Sequence, residues 1–193
     1  MSLTLRLTGT GGAQLVPVFG CDCAACRRAR REESHRRRPC SGVVTFNSAV
    51  TLLDAGRPDL MEHHPAGSFQ QVLLTHYHGD HILGLPGLLQ TLGSLNRTEP
   101  LTIYGPKGIE PVAQAVTALA GPQAYPVRWQ VADRPFHIDT LKITPFPLTH
   151  RVPCCGYLLA LPRAGRFDPA RARAAGIPMP YWKTLQKIGR AHV

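Results

Sequence analysis

Three histidines and one aspartate lie within seven residues in the segment THYHGDH, Thr75 to His81. The segment follows a short apolar run that has the character of a buried strand. On an extended chain, His76 and His78 are two residues apart and can point the same way. Asp80 and His81 come next, where the chain turns into a predicted helix. Because imidazole and carboxylate groups suit zinc, manganese and iron, the spacing predicts a metal site.

Four such groups on one loop could supply two ligands to each of two metal ions. Two neighbouring metal ions can polarise a phosphate and convert a bridging water into hydroxide at neutral pH. A carboxylate among imidazoles can also serve in proton transfer, which makes Asp80 the candidate catalytic residue. The motif therefore predicts metal-assisted hydrolysis.

The elements that must position this loop are mostly strands, with helices between them. Strands are predicted at Leu3–Thr8, Val43–Phe46, Val50–Leu53, Gln71–Leu74, Leu101–Tyr104, Val127–Val131, Leu141–Pro145 and Tyr157–Leu161. Helices are predicted at Ile82–Leu92, with a start or bend at Pro86, at Gly108–Ala120 and around Asp168–Ala175. This order favours a layered α/β sandwich over a helical bundle.

The 193 residues, 44% of them hydrophobic, suffice for one domain with a substantial core. No apolar run approaches the roughly 20 residues that cross a bilayer, and the N-terminus lacks a signal-peptide pattern. A soluble cytoplasmic protein without a membrane partner is expected. Six cysteines in such a chain favour metal ligation or burial over disulfides, and adjacent Cys154 and Cys155 are predicted to be small buried residues.

The net charge of +10 is consistent with a polyanionic partner. Between Cys21 and Cys40, however, seven arginines accompany three acids. The alternative interpretation is therefore a solvated, arginine-rich loop.

The segments TGTGG, LLDAG (Leu52–Gly56) and THYHGDH together resemble the signature set of the metallo-β-lactamase fold, an αββα sandwich with metals at one edge of its sheets. The resemblance implies two ions, Zn²⁺ or Mn²⁺. Their implied ligands are His76, His78 and His150 for one ion, and Asp80 and His81 for the other. Asp54 matches a family aspartate that supports the metal loop without binding metal.

Residues 1–81 contain TGTGGAQLVPVFGCDCAACRRAR, RRRPCSGVV, AGSFQQ and LLTHYH. In these segments the chain resembles the phosphoribosyl 1,2-cyclic phosphate phosphodiesterase of the carbon–phosphorus lyase pathway. The resemblance implies a structural Zn²⁺ at Cys21, Cys23 and Cys26, with a distant histidine as fourth ligand. Three thiolates in CxCxxC spacing can gather about 2.3 Å from a zinc ion. The implied substrate is a small cyclic phosphodiester of phosphonate catabolism.

Residues 75–187 contain HYHGDHILGLPGLLQTLGSLNRTEPLTIYGPKG and CGYLLALPRAGRFDPARARAAGIPMPYWKTLQK. Here the chain resembles ribonuclease Z, the endonuclease that trims the 3′ end of precursor tRNA. The resemblance implies that residues 162–187 begin a tRNA-binding exosite arm, although a merely solvated basic arm is the alternative. The implied RNA contacts are Arg163, Arg166, Arg171, Arg173 and Lys183. Both families are commonly dimeric, which implies a homodimer.

The two resemblances meet inside the shared metal motif, which fits a natural fusion and equally a recombined reading frame. Both families place a bridging aspartate and a further histidine after His150, where this sequence offers only Asp168 and His192 in other contexts. The last six residues, IGRAHV, resemble a translated sequencing-library adapter. The expected organisation is a partial, C-terminally truncated metallo-β-lactamase domain at 1–161 with a Cys-rich loop at 20–40. A basic arm at 162–187 and a non-native tail at 188–193 would follow, and low stability is expected.

The leading functional interpretation is a metal-dependent phosphodiesterase acting on the cyclic phosphoribose, because that resemblance includes the cysteine cluster. The first alternative is a ribonuclease Z-type endonuclease for precursor tRNA. The second alternative is an inactive, truncated remnant that binds metal.

Overall fold

The computed structural model describes residues 2–57, 69–161 and 167–191. Arg163 and Arg166, two of the predicted RNA contacts, and His192 lie outside these ranges. The chain divides into two compact units, Met1–Arg134 with Pro145–Tyr157 and Pro135–Thr144 with Leu158–Val193. Within the described ranges, none of the helices has the length and apolar character needed to span a membrane.

The first unit contains a six-stranded sheet in the order β1–β2–β3–β4–β5–β6. Its strands are β1 (Leu3–Gly9), β2 (Ser41–Phe46), β3 (Ala49–Leu53), β4 (Phe69–Leu73), β5 (Leu101–Gly105) and β6 (Val127–Val131). Strands β1 to β3 pair antiparallel, whereas β3 to β6 pair parallel. Parallel strands bring their carboxyl ends to one edge of the sheet, which is where open α/β sheets bind ligands. All six strands were predicted, and the predicted first and last residues agree with the observed ones to within two positions.

Two helices connect the parallel strands β4, β5 and β6. They are α3 (Leu85–Ser94) and α4 (Ile109–Ala120), and a short helix, α2 (Gly79–Ile82), precedes α3. Pro86 lies in the first turn of α3, where its missing N–H removes no helical hydrogen bond. The predicted helix is thus confirmed, with its start at Leu85. One face of α3 is fully buried and consists of Leu85, Leu88, Leu89 and Leu92.

The segment 20–40, predicted as a Cys-rich, solvated loop, contains instead the helix α1 (Ala24–Arg31) and a 3₁₀ turn at Glu33–His35. Alanine and arginine are strong helix formers. The arginines in the last turn of α1 also interact favourably with the negative end of the helix dipole. The helix buries only Cys26 and Ala29. Most residues of this segment are exposed, which agrees with the predicted solvated character. Only the prediction of a loop without helix was wrong, because the apolar stripe is too narrow to be recognised among the charges.

A second, three-stranded sheet has the order β7–β8–β9, with β7 (Phe136–Ile138), β8 (Leu141–Pro147) and β9 (Cys155–Ala160). The predicted strands at 141–145 and 157–161 are confirmed, whereas β7 was not predicted. Helices α5 (Pro169–Ala174) and α6 (Trp182–Ala191) belong to the second unit. Asp168 caps α5, accepting hydrogen bonds from the N–H groups of Ala170 and Arg171. Helix α5 was predicted and α6 was not.

Candidate metal centre

The histidine motif begins directly after β4, and we call residues 75–81 the metal loop. Asp54 follows the neighbouring parallel strand β3, so both segments lie at the carboxyl edge of the sheet. The Asp54 N–H donates to the Leu73 carbonyl at 2.9 Å, which fixes the end of β3 against the end of β4. Parallel pairing therefore brings residues more than twenty positions apart into one site.

His76, His78 and His150 bring one ring nitrogen each to a common point. The Nε2 of His76 lies 3.2 Å from the Nδ1 of His78, and the Nε2 of His150 lies 3.4 Å from that same nitrogen. A tetrahedral zinc ion with Zn–N bonds of about 2.0–2.1 Å separates its nitrogen ligands by about 3.3 Å. Both distances suit a pair of ligands on one ion, and the ligand nitrogens of the three histidines all lie within 4.8 Å of one another. His76 is buried and His150 is exposed, so the point they share is open to solvent on one side.

His150 reaches this point on the hairpin between β8 and β9. The Leu148 N–H donates to the Cys154 carbonyl at 3.0 Å, which closes the hairpin. On β9, the second strand of the hairpin, the Cys155 N–H donates to the Thr75 carbonyl at 2.9 Å, and the Tyr157 hydroxyl donates to the Leu74 carbonyl at 2.8 Å. The hairpin is thereby fastened to the metal loop, which places His150 beside His78.

Asp80 and His81 form a second pair of potential ligands. The Nδ1 of His81 lies 2.7 Å from the Asp54 Oδ2, and since an ionised carboxylate only accepts, Nδ1–H is the donor. The lone pair of His81 is then on Nε2, which is 3.4 Å from the Asp80 Oδ2. Burial opposes protonation of His81, but the hydrogen bond and charge of Asp54, together with the charge of Asp80, outweigh it and raise its pKa.

Thr75 links Asp54 to His76. Its Oγ1 is 2.9 Å from the Asp54 Oδ2 and 3.0 Å from the His76 Nδ1. The hydroxyl can donate to the carboxylate while accepting from Nδ1–H, which leaves the lone pair of His76 on Nε2. Burial, followed by the nearby His81 imidazole, lowers the pKa of His76 and so favours the neutral ring that binds metal. Thr75 was not among the predicted site residues, although it is the first residue of the motif.

The backbone around Asp54 is specialised for this contact. Asp54 has a φ of 55° in the left-handed region, which aspartate tolerates better than most residues. Two residues later, Gly56 packs so closely against the metal loop that a Cβ there would lie 1.7 Å from the Asp80 carbonyl oxygen. Only glycine fits this approach, so the segment LLDAG is matched to the metal loop in shape as well as in hydrogen bonding.

Cys21, Cys23 and Cys26 form a separate cluster whose sulfur atoms lie within 4.8 Å of one another. The Cys26 N–H and the neighbouring thiols lower the pKa of Cys23 to about 7. A hydrogen bond from the Val18 N–H favours the Cys26 thiolate, but burial and the other two cysteines outweigh it and raise the pKa of Cys26. In the described part of the chain, no histidine, acid or further cysteine lies close enough to be the fourth ligand of this cluster.

The described members of the predicted RNA-binding set are exposed residues of the second unit. Arg171 and Arg173 lie on α5, and Lys183 lies on α6. The Arg173 guanidinium lies 5.5 Å from the centre of the Trp182 ring, whose Nε1–H donates to the Ile177 carbonyl at 2.9 Å. These contacts give the basic surface of α5 and α6 a defined local structure.

Residues 50–176 match the family described as Beta-lactamase superfamily domain. Ribonuclease Z of Agathobacter rectalis is 38% identical over 151 residues, covering 75% of this chain and 50% of that protein. Ribonuclease Z of Halobacterium salinarum is 36% identical over an alignment of 194 residues, covering 96% of this chain and 57% of that protein. The chain thus spans about half the length of the curated relatives it matches. The ribonuclease Z resemblance was expected at residues 75–187. Because the Halobacterium match covers 96% of this chain, the similarity extends beyond those residues.

Among solved structures, a diphosphatase of the PhnP family superimposes with a TM-score of 0.68 and 26% identity, covering 82% of this chain and 62% of that chain. The short form of human tRNase Z superimposes with a TM-score of 0.61 and 24% identity, covering 81% of this chain and 64% of that chain. The second likeness is one of fold.

Proposed function

The chain belongs to the beta-lactamase superfamily and has the metallo-β-lactamase fold, and on that premise we propose that it is a metal-dependent phosphodiester hydrolase. The observation that carries the proposal is the convergence of the ring nitrogens of His76, His78 and His150 beside the pair Asp80 and His81. The ribonuclease Z relatives support phosphodiester chemistry.

Zinc or manganese would be held by His76, His78 and His150, with Asp80 and His81 as ligands of a second ion. When bound, such ions polarise the phosphate and lower the pKa of water to near neutrality. The protein's own contribution is to orient these groups. Asp54 and Thr75 hold the protons of His81 and His76 on Nδ1, and the Asp80 carboxylate would accept a proton from the attacking water and return it to the leaving oxygen.

Precursor tRNA is the better supported of the two substrates predicted from the sequence. The relatives that support it include ribonuclease Z of Halobacterium salinarum, 36% identical across 96% of this chain. Exposed Arg171, Arg173 and Lys183 would contact RNA phosphates, and this role stays a prediction. The homodimer implied by the resemblances and the cytoplasmic location expected from the sequence pattern also stay predictions.

A small cyclic phosphodiester is the second candidate, because the cysteine cluster associated with that activity is assembled in the fold. The likeness to the PhnP-family diphosphatase supports it as well. A structural Zn²⁺ at Cys21, Cys23 and Cys26 accompanies this candidate, since three sulfur atoms within 4.8 Å suit one zinc ion. Cys23→Ser should then remove one zinc per chain, measured by elemental analysis, whereas Cys40→Ser should remove none.

The test of the proposed function combines metal content with hydrolysis. The purified chain is loaded with Zn²⁺ or Mn²⁺ and given precursor tRNA with a 3′ trailer, phosphoribosyl 1,2-cyclic phosphate, or a generic phosphodiester. His78→Ala removes the nitrogen that lies nearest to both other histidines and should abolish hydrolysis and lower metal content. His137→Ala changes a histidine that lies outside the metal loop, on β7, and should preserve both.

The outcomes separate the candidates. Cleavage of precursor tRNA without hydrolysis of the cyclic phosphate would establish the first substrate, and the reverse result would establish the second. A single bound metal with no hydrolysis of any phosphodiester would overturn the proposal and favour a metal-binding protein without activity.

A further inference from the structure

A groove with a volume of about 560 Å³ begins at His150. Its walls come from the loop after β5, the loop after β6 and the hairpin between β8 and β9. This volume lies within the range of about 300–1,000 Å³ that small-molecule sites occupy. The groove also lies beyond the carboxyl ends of parallel strands, where α/β sheets place their ligands.

The groove walls are fixed to the metal loop on two sides. The Tyr77 hydroxyl donates to the Pro106 carbonyl, which holds the loop after β5 and the adjacent Lys107. The Cys155 N–H donates to the Thr75 carbonyl at 2.9 Å and holds the end of the hairpin. A molecule in the groove would therefore lie at a defined position relative to the candidate metal ligands.

The walls combine an aromatic ring with positive charge. Phe146 is 43% exposed and Leu148 is 48% exposed, so both present apolar surface in the groove that a ligand could cover. Gly156 sets the ring position, because a Cβ there would lie 2.5 Å from the Phe146 Cζ. Lys107 and Arg151 also line the groove, with Asp133 as the only acid among the lining residues.

We propose that this groove binds the nucleoside adjacent to the phosphodiester that is cleaved, with its base against Phe146 and a neighbouring phosphate near Lys107 and Arg151. The inference rests on the proposed function and narrows its substrate class to nucleotides. Bases stack on aromatic side chains irrespective of sequence, while cations contact phosphates. A cyclic phosphoribose has no base, so it would leave Phe146 and Leu148 uncovered.

The first experiment measures binding without catalysis. The full chain, labelled with ¹⁵N, is titrated with adenosine 5′-monophosphate and separately with ribose 5-phosphate, and amide shifts are followed by NMR. Saturable shifts at Lys107, Thr149 and Val152 with the nucleotide, and affinity at least about tenfold weaker for the sugar phosphate, are expected from the loss of base stacking. Equal affinities for both ligands, or nucleotide shifts elsewhere on the protein, would overturn the proposal.

Variants separate stacking from general apolar contact. Phe146→Ala should weaken nucleotide binding about tenfold and leave ribose 5-phosphate binding unchanged. Phe146→Leu retains most of the apolar volume and therefore controls for a folding defect in Phe146→Ala. Because leucine has no ring on which a base can stack, this variant should also lose most of the nucleotide affinity. Leu95→Ala, at an exposed leucine that does not line the groove, is the control and should have no effect. Unchanged nucleotide affinity in both Phe146 variants would also overturn the proposal.

The second experiment distinguishes a failure of this inference from a failure of the proposed function. Metal-loaded protein is assayed with the 4-nitrophenyl ester of thymidine 5′-phosphate, which has a base, and with methyl 4-nitrophenyl phosphate, which does not. Phe146→Ala should raise KM about tenfold for the first ester only. Hydrolysis of both esters with equal effects of the substitution would overturn the groove assignment alone. No hydrolysis by the wild-type protein would overturn the proposed function, and the binding titration would still decide the groove.

Discussion

The Asp54 carboxylate accepts a hydrogen bond from the His81 Nδ1–H at 2.7 Å, and its side chain is only 5% exposed. The same carboxylate accepts from the Thr75 hydroxyl, which in turn lies 3.0 Å from the His76 Nδ1. One buried acid therefore sets the orientation of a candidate ligand for each of the two ions. Loss of such a supporting group typically lowers metal affinity or activity by about 10- to 100-fold.

The first prediction concerns Asp54. The two Asp54 oxygens together accept from the Thr75 N–H, the Thr75 hydroxyl and the His81 Nδ1–H. In Asp54→Asn an NH2 group, which only donates, replaces one of these oxygens, so at least one of the donors loses its acceptor. Metal affinity, measured by competition with a chromogenic chelator, should fall by about 10- to 100-fold. Glu33→Gln makes the same chemical change at an exposed ion pair with Arg38 and should leave affinity unchanged. Equal affinities in the wild type and Asp54→Asn would contradict the orienting role.

Thr75 provides the second prediction, as a positioning residue that acts through His76. Thr75→Val is nearly isosteric but lacks the hydroxyl, so the His76 Nδ1–H loses its acceptor and the ring loses its preferred tautomer. Metal affinity should decrease about tenfold, and Thr75→Ser should restore it because serine retains the hydroxyl. The imidazole ¹⁵N shifts of His76 would report the tautomer directly. If valine and serine variants gave the same shifts and the same affinity, Thr75 would have only a packing role.

The structure brings together the side chains that the sequence indicated as candidate metal ligands, and their role as ligands stays a prediction. Four of them, His76, His78, Asp80 and His81, lie within one seven-residue segment, and His150 shortly follows the apolar strand β8, which could be recognised. The contacts that fix these ligands were not visible in the same way. Thr75 and Asp54 interact only because β3 and β4 pair in parallel, and the groove beside His150 requires three loops from separate parts of the chain. Helix α1 was missed for a related reason, since the burial of Cys26 and Ala29 depends on tertiary packing.

The third prediction concerns Gly56 and the fit between two loops. In Gly56→Ala the new Cβ would lie 1.7 Å from the Asp80 carbonyl oxygen, so the metal loop has to move. Overpacking of this kind costs about 1–3 kcal/mol, and each kcal/mol lowers the melting temperature by about 2–4 °C in a chain of this size. Metal affinity should also fall because Asp80 shifts.

The control for Gly56 is Gly12, where a Cβ would meet nothing within 4 Å. Gly12→Ala should change the melting temperature, measured by differential scanning fluorimetry, by no more than about 1 °C, because surface substitutions usually alter stability by less than about 0.5 kcal/mol. Equal melting temperatures for the two alanine variants would show that the loops adjust without strain.

The fourth prediction concerns β1, which lies at the edge of its sheet and, among the strands of the described residues, pairs with β2 alone. Leu3, Leu5 and Leu7 alternate along it and share one face, with exposures of 37%, 62% and 62%. An exposed apolar edge strand favours association with other chains, so the protein should self-associate as its concentration rises. Leu5→Lys places a charge within this apolar face and should shift association to higher concentration, as measured by light scattering.

Thr4→Lys distinguishes the apolar face from the strand edge. It adds the same charge to β1 but on the opposite face, so it should reduce association much less than Leu5→Lys if the leucines drive the contact. Equal effects of the two lysines would indicate pairing of backbone edges instead, because charge anywhere on an edge strand opposes such pairing. If light scattering showed a monomeric wild-type chain at every concentration tested, the prediction would be contradicted. The three leucines would then stay exposed to water without driving association.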